Sequence, residues 1–175
     1  TENADQYASG DTYSIDNIKG KSFSFVSATS TSGFAIPSSS IVSHFGLESS
    51  DQLLEDGTFF SSVMFGDSHQ GSAVNLLSGN ADAAAFDDID VDMYFDLVSG
   101  EPNTVGAVYQ VKDDAAAPFD TVRGEQFTII GITPVLNAPF CYNTDTLSED
   151  EQKAITEAMT SADTAANTAI FYDGE

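Results

Sequence analysis

Apolar positions along the chain fall in short runs divided by polar, glycine-bearing turns, and the runs switch between a strand-like and a helix-like period. Phe23-Ser24-Phe25-Val26 reads as a buried strand. Apolar Phe34, Ile36, Ile41, Val42 and Phe45 follow, predicting a helix over 34–45 with Pro37 in its first turn and Gly46 as its C-terminal stop. Residues 59–65 predict a second strand, 70–77 a helix carrying Ala73, Val74, Leu76 and Leu77, and 81–86 a short strand of small residues. The spacing of Val91, Tyr94, Phe95 and Val98 predicts a helix over 89–98. Residues 99–123 are weakly patterned and read as loops, and 127–133 predicts a buried strand.

Strands alternating with helices predict an α/β fold with a mainly parallel sheet flanked by helices. The polar stretch 1–13 reads as a linker or tail, 14–133 as an α/β ligand-binding lobe, and 134–175 as an extended, proline-bounded crossing followed by a helical part. In that last part Ser148 and Glu151 form a capping box that opens a helix bearing Ile155, Ala158 and Met159. Residues 163–170 continue or restart it. Its narrow apolar stripe calls for a partner surface.

Three polar features each follow a predicted strand, which is where α/β folds hold ligands. The first is Ala28-Thr29-Ser30-Thr31-Ser32-Gly33, four hydroxyl residues and a glycine where a strand turns into a helix. Backbone N–H groups and the positive end of the helix dipole point out there, and the hydroxyls add donors. The stretch suits a small oxyanion, and by itself it fits a plain Ser/Thr helix cap better. The second is Gly66-Asp67-Ser68-His69, in which His69 beside Ser68 is a ligand donor or a structural histidine. The third is Asp87-Asp88, an acceptor for a ligand that still carries a proton or the N-cap of the next helix. His44 reads as a late helix residue facing the dipole.

Composition narrows the function. The 175 residues carry 28 acidic and 5 basic side chains, a net charge of -23, with 41% hydrophobic residues, so the chain is a folded domain that repels nucleic acid. The acids are mostly aspartates in loops and read as solubilising. The single Cys141 excludes an internal disulfide and a cysteine metal cluster, and its apolar neighbours read as packing. No EF-hand spacing, P-loop lysine or Gly-x-Ser-x-Gly elbow is present, so neither metal nor cofactor is expected. Ser30, Thr31 or Ser32 with His69 and Asp87 supplies the residue types of a nucleophile–base–acid set, and the non-enzymatic reading is preferred.

Taken in order, Ile18-Lys19-Gly20-Lys21, the Phe-rich strand, Ser30-Thr31-Ser32-Gly33 with Pro37, Gly66-Asp67-Ser68-His69, Ser78-Gly79-Asn80-Ala81-Asp82 and Thr133-Pro134 resemble the phosphonate/phosphite/phosphate-binding proteins of ABC importers. The resemblance runs from about Ser14 to Thr160. It implies a two-lobed periplasmic-binding-protein fold of type II that closes like a hinge, an extracytoplasmic location (periplasmic or as a cell-surface lipoprotein), a phosphorus oxyanion as ligand and a membrane permease as partner. It assigns the oxyanion to Ser30, Thr31, Ser32 and His69, with Thr29, Gly33, Ser68 and Asp87 completing the expected site. The matched region starts near the beginning of the chain, which leaves the first lobe incomplete and points to a dimer or partner chain covering it. An alternative is a sensor or interaction domain of the same fold that has lost or altered ligand binding. The run Val135-Leu136-Asn137-Ala138-Pro139 lacks the acid that aminoalkylphosphonate binders often place there, which favours a small tetrahedral anion.

An acidic surface opposes an approaching anion until salt screens it beyond about 8 Å at physiological strength. Inert salt is therefore expected to speed association with an anionic ligand in stopped-flow measurements. A rate that falls with salt contradicts this.

Overall fold

The computed structural model describes residues 3–135 and 141–167. The chain divides into two compact units, Thr1–Val135 and Leu136–Glu175.

The first unit is built on strand β3 (Ser22–Phe25), which lies between β4 (Ser62–Phe65) and β5 (Ala83–Ala84) in a parallel sheet of order β4-β3-β5. Alternation along β3 sorts its side chains to two faces. Phe23 and Phe25 join Phe34, Ile41, Leu53, Phe59 and Phe60 in one core, with Phe23 stacked on Phe60 at 4.6 Å and Phe25 edge-on to Phe34 at 5.0 Å. Ser24, fully buried, faces helix α2 (His69–Leu77), where its hydroxyl accepts from Asn75 Nδ2 at 3.0 Å and Ser72 Oγ at 3.2 Å. The Ser72 hydroxyl also lies within bonding distance of the Ser24 carbonyl (3.0 Å) and the Ala85 carbonyl (2.9 Å). Two buried serines thus tie α2 to β3 and to the chain leaving β5.

Helix α1 (Ile36–Phe45) has Pro37 in its first turn and ends on Gly46 in the left-handed region, as its sequence dictates. The predicted strand over 59–65 shortens to β4, because Phe59 and Phe60 enter the core before the ladder begins. At the strand starts, Asp82 Oδ2 accepts from the Ser22 N–H (2.9 Å) and hydroxyl (2.7 Å), bonds that hold its carboxyl below the usual range. Tyr7 is buried in the first core rather than lying in a polar tail. Its hydroxyl reaches the Asp82 carbonyl at 3.4 Å, and burial, with the Asp82 charge, pushes its pKa up to about 12. Two short strands, β1 (Ala8–Ser9) and β2 (Thr12–Tyr13), pair as a hairpin beside it in sequence.

The predicted helix over 89–98 is corrected. A 3-10 turn at Asp92–Tyr94 leads into strand β6 (Phe95–Ser99), which pairs antiparallel with β7 (Val108–Val111). β7 lies in the stretch read as loops, and it pairs in turn with β8 (Gln126–Thr128), the short core of the strand expected over 127–133. Val91, Phe95, Tyr109, Val111, Phe119 and Phe127 form the core on this second sheet, with Tyr109 stacked on Phe127 at 5.5 Å. Val98, counted as the last apolar position of the expected helix, is 51% exposed. The unit is therefore mixed, a parallel sheet followed by an antiparallel one.

In the second unit, α3 (Glu149–Met159) opens with the expected capping box. Ser148 accepts from the Glu151 N–H at 3.4 Å, and Glu151 takes the Ser148 hydroxyl at 2.7 Å and the Ser148 N–H at 2.8 Å, bonds that lower its carboxyl pKa. A short helix α4 (Ala162–Ala165) follows, capped by Ser161. Cys141, expected in a packed run, is exposed. The extended run from residue 136 to 140 and the helical continuation from 168 to 170 lie outside the described residues.

Gly66 and Gly71 meet back to back: a Cβ on Gly66 would collide with the Gly71 and Ser72 backbone, and one on Gly71 with the Gly66 carbonyl. Gly66→Ala is expected to cost about 1–3 kcal/mol by overpacking, read as a lower urea midpoint at unchanged slope.

Candidate functional site

The parallel register sets the place of the site. Phe25 pairs with Phe65, so β3 and β4 end level and their following loops open on one edge of the sheet. The chain after Val26 is held there by Gly66 N–H on the Phe25 carbonyl (2.8 Å), Asp67 N–H on the Val26 carbonyl (2.9 Å) and Val26 N–H on the Gly33 carbonyl (3.2 Å).

The Ser/Thr loop then winds into a π-helical turn, Thr31–Ala35, that runs directly into α1. Ser30 caps it, its Oγ accepting from the Gly33 N–H at 3.1 Å. Helix geometry leaves the N–H groups of Thr31 and Ser32 without intrahelical acceptors at the positive end of the dipole. Gly33 is buried, and a Cβ there would collide with the Val26 side chain, so close packing on β3 is what demands glycine. Thr29 and Thr31 are exposed, and the Thr29 hydroxyl lies 3.4 Å from that of Ser27.

The second loop repeats the device. Ser68 caps α2 by accepting from the Gly71 N–H at 2.9 Å, which sets His69 as the first residue of the helix. A serine hydroxyl that accepts a cap bond retains its own O–H donor. After β5, Asp87 accepts from the Asp90 N–H through Oδ1 at 3.1 Å, an N-cap-like turn leading to Val91.

Three of the expected residues converge. Ser32 Oγ is 3.2 Å from His69 Nε2 and donates to Asp87 Oδ2 at 3.1 Å, and His69 Nε2 is 3.1 Å from the same carboxylate oxygen. The Asp87 backbone N–H donates to His69 Nδ1 at 2.9 Å. Nδ1 is therefore the acceptor of the ring, and its proton sits on Nε2. The side chain of His69 is 11% exposed and that of Asp87 27%, so the group is sheltered but reachable. The Asp90 contact and the backbone bond from Asp87 to His69 have no counterpart in side-chain pattern, and only the fold reveals them.

This geometry limits the chemistry. In a Ser–His–Asp catalytic set the acid accepts from the imidazole nitrogen that does not face the serine. Here the far nitrogen accepts from a backbone amide, and the carboxylate sits beside the near one. His69, Asp87 and Asp90 bring three ligand atoms within 4.8 Å of one another. Coordination through Nε2 would drive the ring proton onto Nδ1, against the Asp87 N–H. The group fits a set of hydrogen-bonding posts better than a cation seat. His44, on α1, instead bonds Asp16 at 2.6 Å, and hydrogen bonds from Ser14 and then His44 hold that carboxyl below its usual range. A depression of about 490 Å³ along α1 is lined by Ile36, Ser40, His44 and Pro134 among others, and includes none of Ser32, His69 and Asp87.

A parallel sheet flanked by helices, with hydroxyl, amide and imidazole donors at one edge, is consistent with a periplasmic-binding-protein-like domain. Residues 6–174 match the family of ABC transporter phosphonate periplasmic substrate-binding proteins, and the chain belongs to that family. Its members are extracytoplasmic capture components that serve a membrane permease. Searches of curated proteins and of solved structures returned no match. Among the described residues no helix is long and apolar enough to cross a membrane.

The His69 tautomer is open to direct measurement. Nitrogen-15 spectra of the imidazole near neutral pH are expected to show a protonated Nε2 and a bare Nδ1. A protonated Nδ1 would contradict the bond from Asp87.

Proposed function

We propose that this chain captures a small phosphorus oxyanion, a simple phosphonate, phosphite or phosphate, at the edge of the parallel sheet and delivers it to an ABC permease without transforming it. The observation that carries this reading is the meeting of Ser32 and His69 beside the π-helical turn, in a chain of the phosphonate-binding family. The N–H groups of Thr31 and Ser32, the hydroxyls of Ser30, Thr31 and Ser32, and His69 Nε2–H replace the water around the anion. Thr29 and Ser68 border the cradle. All of these donors are neutral, so the anion's own charge strengthens each bond. Closure of a second lobe over the cleft would exclude solvent and complete the capture.

A thermal-shift panel of phosphate, phosphite, methylphosphonate, 2-aminoethylphosphonate and sulfate identifies the ligand. An anion at about a hundred times its dissociation constant adds about 2.7 kcal/mol of stability. Ser32→Ala and His69→Ala are each expected to weaken binding by about 1–3 kcal/mol, roughly 5- to 150-fold in calorimetric affinity. Unchanged affinity in both variants overturns the assignment of the site.

A further inference from the structure

An acceptor stands among the donors, and an anion site has no evident use for one. Asp87 Oδ2 takes the Ser32 hydroxyl at 3.1 Å and lies 3.1 Å from His69 Nε2, so one carboxylate oxygen occupies the two side-chain donors the ligand needs. Its partner oxygen is tied to the Asp90 N–H at 3.1 Å, and its own backbone N–H holds His69. The carboxylate is thus anchored in place by its own loop and by α2. An oxyanion entering the cradle must approach a fixed negative oxygen. A bare ligand oxygen there meets like-charge repulsion and shares no proton, whereas a ligand P–OH donates to Asp87 and turns the contact into a bond.

Resting on the oxyanion reading of this site, we propose that Asp87 makes the cradle selective for protonation state: it admits a phosphorus oxyanion that still carries a proton on one oxygen and rejects fully deprotonated anions, sulfate among them. The surroundings reinforce the preference. The charged groups on the elements that meet there are His69 from α2, Asp67 from the β4–α2 loop, and Asp88 and Asp90 from the loop of Asp87 itself. The β3–α1 loop contributes only hydroxyls. Asp88 is engaged elsewhere, accepting from Asn103 Nδ2 at 3.0 Å. No Lys or Arg belongs to these loops to neutralise a second ligand charge.

The experiment is calorimetric titration, at constant high ionic strength, of phosphite and methylphosphonate across the second ionisation, which removes the last P–OH proton of each, with phosphate, whose dianion keeps a P–OH, as the control expected to lose far less affinity over the same range. The affinity of phosphite and of methylphosphonate is expected to fall about tenfold per pH unit above that ionisation, the slope of one linked proton. The midpoint of the fall is expected to move with the ligand's own second pKa. A midpoint that stays fixed between phosphite and methylphosphonate belongs to a protein group and overturns the proposal, as does a flat profile for these two ligands. Asp87→Asn is expected to flatten the profile and to raise affinity for the deprotonated forms and for sulfate tenfold or more, while Asp96→Asn, on β6, leaves the profile as it was. Should Asp87→Asn fail to fold, the ligand-dependent midpoint in the unaltered protein decides alone. Binding that ignores pH defeats this proposal and spares the oxyanion reading. Absence of binding by every anion at every pH defeats both.

Discussion

Parallel pairing of β3 with β4 and β5 is the constraint on which the rest of the first unit depends. In a parallel ladder every strand ends on the same edge, so the loops that follow share one neighbourhood however far apart they lie in sequence. Ser32, His69 and Asp87 are separated by 37 and 18 positions and still close a triangle of contacts near 3 Å. The pairing survives because both faces of β3 are satisfied by different means. Phenylalanines fill one, and the other is held by the buried Ser24 hydroxyl, which accepts from Ser72 and Asn75 of α2.

Electrostatically the molecule does two opposed things. Its surface is heavily acidic, and among the described residues few basic side chains meet the acids: Lys153 pairs with Glu157, and the histidines His44 and His69 bond Asp16 and Asp87. Charge on that surface is met by solvent ions rather than by protein cations. The proposed cradle would offer partial positive charge from amides, hydroxyls and an imidazole, which act over a few ångströms and need no lysine. Long-range repulsion and short-range attraction can coexist because the first is screened by salt and the second is not.

Local chemistry was the part of the fold most open to reading from the chain. Gly46, Pro37 and the Ser148–Glu151 pair do what their residue types require of them, and so do Ser30 and Ser68, whose capping and ligand readings are compatible because one hydroxyl can accept and donate at once. What failed was any element decided by distant partners. Val91 to Val98 satisfies a helical count, but Phe95 is taken into a ladder with Val111, sixteen residues on, and that strand is too short to announce itself. Tyr7 sits among polar neighbours, and only the tertiary fold shows that its ring reaches the core. The site was legible as three loops after three strands. The pairing of Asp87 with both ring nitrogens was not, since one of the two bonds comes from a backbone amide that every residue has.

That double hold on His69 has a thermodynamic consequence. An imidazole gripped at Nδ1 by an amide and at Nε2 by a carboxylate has no rotamer freedom left to surrender. A ligand received there, as proposed, would meet a ring already ordered, so its binding would cost little side-chain entropy at that position.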